Sequence, residues 1–229
     1  MARLVVDPHF HQLTRPDRLT FAGEFIPEFP TVGRQPINRI NTISTPSSAI
    51  GSGVWMNGRS EFPINLRTTD NSDPELMVGQ VYDIEGHLTG CNFYRVPNLT
   101  FVPSAATAST LVFRERIRVT GLGTVSRTRQ FPIGRNDVNP LTEAIVEHQD
   151  ERALGGRIRV RCLLGWRFCQ IDGNVQLFDG SRIFYTGILN GYDPNSGRLI
   201  IEVGNATVNF VATLLDDAES SGSELGDDF

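Results

Sequence analysis

Gly79-Gln80-Val81-Tyr82-Asp83-Ile84-Glu85-Gly86-His87-Leu88 is matched 101 residues later by Gly180-Ser181-Arg182-Ile183-Phe184-Tyr185-Thr186-Gly187-Ile188-Leu189. Each copy opens on glycine, alternates apolar and polar residues as a strand does, and carries a second glycine seven positions in. Upstream, Leu19-Thr20-Phe21-Ala22-Gly23 lines up with Ile117-Arg118-Val119-Thr120-Gly121 at an offset of 98. Two strand-plus-glycine signatures at nearly one spacing point to a duplicated β-module. A chain of 229 residues accommodates two such modules of about 100 residues each. The 22 Gly and 13 Pro supply the frequent turns that β architecture needs.

Working outward, Arg18–Phe25 reads as a first strand, and residues 26–52 as a long loop with a short strand near Ile40–Ile43. Val54–Met56 and Phe62–Thr68 flank Asn57-Gly58, a hairpin signal. Strands are expected over Val78–Leu88 and Phe93–Val102, followed by a small-residue linker over 104–110. Leu111–Thr120 should then be a strand that turns at Gly121-Leu122-Gly123 and returns through Phe131. Asn139-Pro140 reads as a helix start, with Asn as cap and Pro in the first turn, and predicts a helix to Ala153. Strands over Arg157–Leu164, Arg182–Leu189 and Arg198–Val203 follow, and Val208–Leu215 closes the sheet. Residues 1–17 look irregular. The expected fold is therefore all-β: two tandem β-modules over 18–103 and 111–215, then an acidic tail over 216–229.

The net charge of −5 conceals an uneven distribution. Residues 216–229 hold six carboxylates and no base, a composition that cannot bury enough apolar surface to fold alone and predicts disorder. Residues 111–215 carry 13 Arg against 10 acids, whereas residues 1–110 carry 8 against 10, and the chain has no Lys. Arginine brings a planar fork suited to phosphate and to stacking. Cys91, Cys162 and Cys169 are odd in number and lack C-x-x-C spacing, which fits reduced thiols in an intracellular protein, nuclear or cytoplasmic, with a mitochondrial setting left open. No stretch reaches the length of a membrane span, and the first residues lack an apolar signal core.

The repeats resemble the OB-fold of the bacterial and mitochondrial single-stranded-DNA-binding protein family. That family has an opening strand of hydrophobic-x-hydrophobic-x-Gly-x-hydrophobic character and a later strand like Gly-Ser-x-Val-Tyr-Ile-Glu-Gly-x-Leu. Gly79–Leu88 and Gly180–Leu189 look like the later strand, and Tyr192–Val203 like the hairpin after it. Gly226-Asp227-Asp228-Phe229 echoes the family's acidic tail ending in phenylalanine. The resemblance implies two tandem OB-like barrels that bind single-stranded DNA or RNA with little sequence preference, in replication, repair or recombination. It also implies a tail whose Asp227, Asp228 and Phe229 dock onto replication or repair proteins. The predicted helix departs from the family, whose helix precedes the later strand.

Two arginine runs share strand parity. Arg114, Arg116 and Arg118 lie opposite Phe113, Ile117 and Val119, and Arg157, Arg159 and Arg161 lie opposite Ile158, Val160 and Cys162. Such faces can track a phosphate backbone, although Glu115, Glu143, Glu147 and Glu151 would partly neutralise them as an ordinary solvated surface. Trp55 with Arg59, Tyr94 with Arg95, Trp166 with Arg167, and Tyr192 sit beside charges or turns, where rings can stack on bases at about 1–3 kcal/mol per base. Tyr82, Phe184 and Phe21 are assigned to cores or strand pairing. Four scattered histidines and the absence of nucleophile or phosphate-loop motifs predict no enzyme, no cofactor and no metal. A homo-oligomer is left open, and no membrane partner is expected. The competing reading is a β-rich coat or scaffold subunit; an acidic-tailed histone-chaperone-like sandwich is disfavoured by the short tail.

Overall fold

The computed structural model describes residues 4–6, 18–30, 32–37, 40–51, 60–68, 76–91, 97–108, 116–131, 141–150, 156–165, 177–193 and 195–209. Among these every regular element is a strand. In chain order they are β1 (Leu4–Val6), β2 (Arg18–Pro27), β3 (Val32–Ile37), β4 (Ile40–Gly51), β5 (Ser60–Thr68) and β6 (Tyr82–Cys91). There follow β7 (Pro97–Ala108), β8 (Arg118–Phe131), β9 (Leu141–Gln149), β10 (Arg157–Leu164), β11 (Arg182–Asp193) and β12 (Arg198–Asn209).

Strand pairing closes two rings. In the first, β2 pairs with β4, β4 with β5, β5 with β7 in parallel, β7 with β6, and β6 returns to β2. The second repeats this order: β8 with β9, β9 with β10, β10 with β12 in parallel, β12 with β11, and β11 with β8. Five strands in this order form the OB-type barrel, so the all-β expectation holds and each repeat contributes one barrel. An antiparallel ladder between β2 and β8 links them, with Phe21 opposite Val119. Those two residues are each other's counterparts in the 98-residue repeat, so a local pseudo-twofold axis passes between them.

The repeated glycines have separate physical reasons. Gly79 and Gly180 adopt φ of 81° and 91°, the left-handed region that side chains avoid. Each donates its N–H to the opening strand of its own barrel, Gly79 to Pro27 O at 3.0 Å and Gly180 to Val125 O, in the middle of β8, at 2.7 Å. Gly86 and Gly187 sit where a neighbouring strand presses close: a Cβ there would lie 2.2 Å from the Thr100 carbonyl oxygen and 2.3 Å from that of Glu202. Both flank a register irregularity in the β6–β7 and β11–β12 ladders. The sequence repeat thus records backbone requirements that recur in each barrel.

Alternation fills the interiors. Leu19, Phe21, Phe25, Ile64, Leu66, Ile84, Leu88 and Leu99 line the first barrel, and Val125, Val146, Val160, Cys162, Ile183, Leu189 and Ile201 the second, all buried.

Several expectations are corrected. The Asn139–Ala153 helix is strand β9 over Leu141–Gln149. Its inward set is Ala144, Val146 and His148, a period of two, and both edges are hydrogen-bonded, so pairing outweighs the capping signal of Asn139-Pro140. Gly121-Leu122-Gly123 is not a turn, because β8 runs straight through it, paired with β2 and β11. The long loop expected over 26–52 contains the β3–β4 hairpin. The 104–110 linker stretch is, up to Ala108, part of β7, with Thr107 opposite Asp83. Within the irregular N-terminal segment, Leu4–Val6 forms β1, parallel to β12 at Ala206–Val208. The tail expected to be disordered, 216–229, lies outside the described residues, as does most of the Val208–Leu215 strand.

Candidate nucleic-acid interface

The outward face of β8, β9 and β10 concentrates the charge of the second barrel. Register sets it out in rows. Arg127, Ile145 and Arg161 lie side by side, as do Arg129, Glu143 and Leu163, then Glu147 beside Arg159 and Gln149 beside Arg157. The inward neighbours Ile158, Val160 and Cys162 are buried, so parity turns Arg157, Arg159 and Arg161 outward as expected. Their side chains are 63%, 53% and 32% exposed. Arg127 and Arg129 are also exposed. The face therefore presents five guanidinium groups around two carboxylates. Buried Ile145 lies within it, and Leu141, Leu163 and Ile200 form a small apolar cluster along its border.

The carboxylates are engaged. Arg159 Nε donates to Glu147 Oε1 at 2.7 Å, and an Arg157 guanidinium nitrogen lies 3.8 Å from Glu147 Oε2. Arg161 Nε donates to Glu143 Oε2. Arg157 and Arg159 are exposed, and exposed pairs contribute about 0–1 kcal/mol each, so Glu147 orders these two side chains without locking them; the Arg161–Glu143 pair is more enclosed.

Beside this face lies the β11–β12 hairpin, since Val160 and Arg161 of β10 are in register with Leu199 and Ile200 at the start of β12. Asp193 shapes the turn: its carboxylate accepts from Ser196 Oγ at 2.6 Å and from the Asn195 N–H at 2.9 Å. The Ser196 hydrogen bond, with smaller help from the Asn195 N–H and from Arg161, holds the Asp193 carboxyl below its usual range. Tyr192 precedes this turn and is partly buried against the core, so only part of its ring is accessible.

Of the other nominated residues, Arg116 and Arg118 are exposed at the start of β8, on the side of the β2–β8 ladder. They are thus separated along β8 from the five-arginine face. Arg114, Trp166, Arg167, Trp55, Arg59, Tyr94, Arg95, Asp227, Asp228 and Phe229 lie outside the described residues. Phe21 is buried, Tyr82 packs against the core with its hydroxyl accepting from the Met77 N–H at 3.0 Å, and Phe184, though paired within β11, is 37% exposed. Of the two places expected for Phe184, strand pairing is the one it takes: it is in register with Leu122 on one side and Thr207 on the other, with its side chain outward. Arg127 and Arg129 were missed, although Arg127-x-Arg129 shows the same parity signal as the nominated runs.

Among the described residues, the matching strands of the first barrel carry no such array. Leu88–Leu99 and Leu189–Ile201 are matching pairs, and Leu99 and Ile201 in turn adjoin Leu66 and Cys162. Counting back from Leu66 and Cys162, Glu61, Pro63 and Asn65 occupy the places of Arg157, Arg159 and Arg161. On β4, Ser44 and Ser48 stand where β9 has Glu143 and Glu147.

Behind the charged face, the interior of the second barrel holds a polar chain. His148 is fully buried; its Nδ1–H donates to the Leu122 carbonyl at 2.8 Å, and its Nε2 accepts from the Tyr185 hydroxyl at 2.9 Å. A carbonyl can only accept, which fixes this neutral tautomer. Burial pulls the imidazole down to about 4, against a smaller upward pull from the Leu122 hydrogen bond. Desolvation likewise pushes the Cys162 thiol up to about 12, with the Tyr185 hydroxyl beside it. Gly121 makes room for Tyr185: a Cβ there would lie 2.4 Å from the ring. These groups are enclosed and positional. Among the described residues no cluster of His, Cys, Asp and Glu could hold a metal ion, and no helix is long and apolar enough to cross a membrane.

Searches for similar proteins match no family model and no curated protein. Among solved structures, the fold is similar to the crystal structure of the wild-type single-stranded DNA binding protein from Thermus aquaticus, with a TM-score of 0.53 at 13% identity over 84% of this chain and 91% of that one. A deletion mutant of the same Thermus aquaticus protein aligns with a TM-score of 0.51 at 12% identity, covering 83% of this chain and 91% of that one. At such identity the likeness is one of fold.

Proposed function

We propose that this chain is a non-catalytic protein that binds single-stranded nucleic acid, DNA in preference to RNA, with little sequence preference. The observation that carries the reading is the arginine array on β8 and β10, either side of β9 and beside the β11–β12 hairpin. In OB barrels the second and third strands and the loops flanking them form the surface that takes oligonucleotides, and here β9 and β10 are those strands. The two solved neighbours are, by name, single-stranded DNA binding proteins, which supports the same reading.

Guanidinium groups neutralise backbone phosphates irrespective of base, and rings at the margins stack on whichever base arrives. Trp166 with Arg167 and Tyr192 are the proposed stacking margin of the second barrel, and Trp55 with Arg59 and Tyr94 with Arg95 that of the first. The two barrels act as tandem domains divided between β7 and β8, and Asp227, Asp228 and Phe229 recruit replication or repair proteins. A competition assay tests the reading: a labelled dT oligonucleotide bound to the full chain is challenged with unlabelled single strand and with duplex. The single strand displaces the probe at far lower concentration. Equal displacement by duplex would overturn the proposal.

A further inference from the structure

We infer that Glu143 and Glu147 are built-in competitors for the arginine array, holding its guanidinium groups in place when the protein is free and yielding them to phosphates when a strand binds. The inference rests on the nucleic-acid reading above and concerns the regulation of affinity at that surface.

Glu143 and Glu147 sit on the central strand of the face, flanked on both sides by strands that carry arginine. Together they engage each of the three arginines of β10. Their side chains are 15% and 21% exposed, against 32% for Arg161, 53% for Arg159 and 63% for Arg157, so the carboxylates lie lower on the sheet than the guanidinium groups they hold. A phosphate approaching from solvent therefore meets the arginines first. Trading a half-buried carboxylate partner for a phosphate replaces one ion pair by another of similar kind, so the exchange is nearly balanced. Ser44 and Ser48 at the matching places of the first barrel have no charge to play this part.

Two consequences follow for binding. The carboxylates remain under the bound strand and repel it, which lowers affinity below what five arginines alone would give. Each displaced carboxylate also takes up a cation from solution, which cancels part of the counterion release on the nucleic-acid side. The salt dependence is then that of about three net charges rather than five, a difference of roughly 1.4 in log–log slope at 0.7 per contact for single strands.

The test uses Glu143→Gln, Glu147→Gln and the double variant, near-isosteric changes on the full chain, with folding checked by thermal melting. Binding of a dT oligonucleotide is measured across a salt series, with Glu85→Gln, an exposed change on β6 of the first barrel, as the charge control. The double variant should bind on the order of tenfold more tightly or better near 50 mM salt, with a slope steeper by about 1.4 and the gain vanishing toward 1 M. Each single variant should shift in the same direction by about half as much, since each removes one of the two negative charges. Unchanged or weaker binding by a folded double variant, or an equal gain from Glu85→Gln, would overturn the inference while leaving wild-type binding, and hence the proposed function, standing. A wild-type protein that does not bind the oligonucleotide at all would remove both.

Discussion

Acid should unfold the second barrel through His148. The imidazole is enclosed between the Leu122 carbonyl and the Tyr185 hydroxyl, and its neutral form satisfies both. Protonation would put a second N–H at Nε2, facing a hydroxyl that now has to reverse, with the charge buried away from solvent. In the unfolded chain His148 takes its proton near 6.5, but in the folded barrel only near 4. Between these values the unfolded state binds more protons, so stability falls as pH falls; it is whole above 6.5 and the loss is complete below 4. At about 1.4 kcal/mol per unit the full loss is about 3 kcal/mol, and about 2 kcal/mol of it has occurred by about pH 5. That is a large share of a typical domain's stability of about 5–15 kcal/mol. Urea titrations at about pH 7.5 and pH 5, followed by circular dichroism, measure it for the wild type and for His148→Gln, whose amide can keep both hydrogen bonds without titrating. The wild type should lose about 2 kcal/mol more than the variant over that interval. An identical loss in both would refute the argument, since carboxylates elsewhere are common to the two.

Replacing Arg157, Arg159 and Arg161 together by Ala should weaken oligonucleotide binding about a hundredfold at low salt and flatten the salt slope by about 2, read by anisotropy. The melting temperature of that variant should stay within a few degrees, because these are surface groups. Gly121→Ala should destabilise by about 3 kcal/mol in urea titration, as the new methyl meets the Tyr185 ring and the ring is backed by His148. Cys162 should resist an aromatic disulfide reagent in the folded protein and react on unfolding, because a thiol pushed to about 12 in a closed core supplies almost no thiolate at neutral pH.

How much of this was legible in the chain depended on which physical signal each part carries. The duplication was readable because glycines at 79, 86, 180 and 187 answer backbone requirements, a positive φ or a close strand approach, that strongly favour glycine in each repeat. The parity of Arg157, Arg159 and Arg161 was readable because strand alternation leaves no other arrangement once Ile158 and Val160 face inward. Strand β9 was not readable. Its Ala, Glu and His content and the Asn139-Pro140 start suit a helix, and only pairing with distant β8 and β10 decides otherwise. Long-range pairing also explains β1, three residues whose partner lies about two hundred positions away in β12. The carboxylates of β9 were seen as a neutralising presence, but their placement in the centre of the arginine face follows from register, which no local pattern carries.

The equilibrium binding of a dT oligonucleotide to the full chain across a salt series bears most directly on the central claim. Trp55 and Trp166 provide an intrinsic signal. Affinity should fall with salt on a log–log slope of about −2 or steeper, as expected for about three or more net phosphate contacts. Binding that is absent, or that does not change with salt, would contradict it.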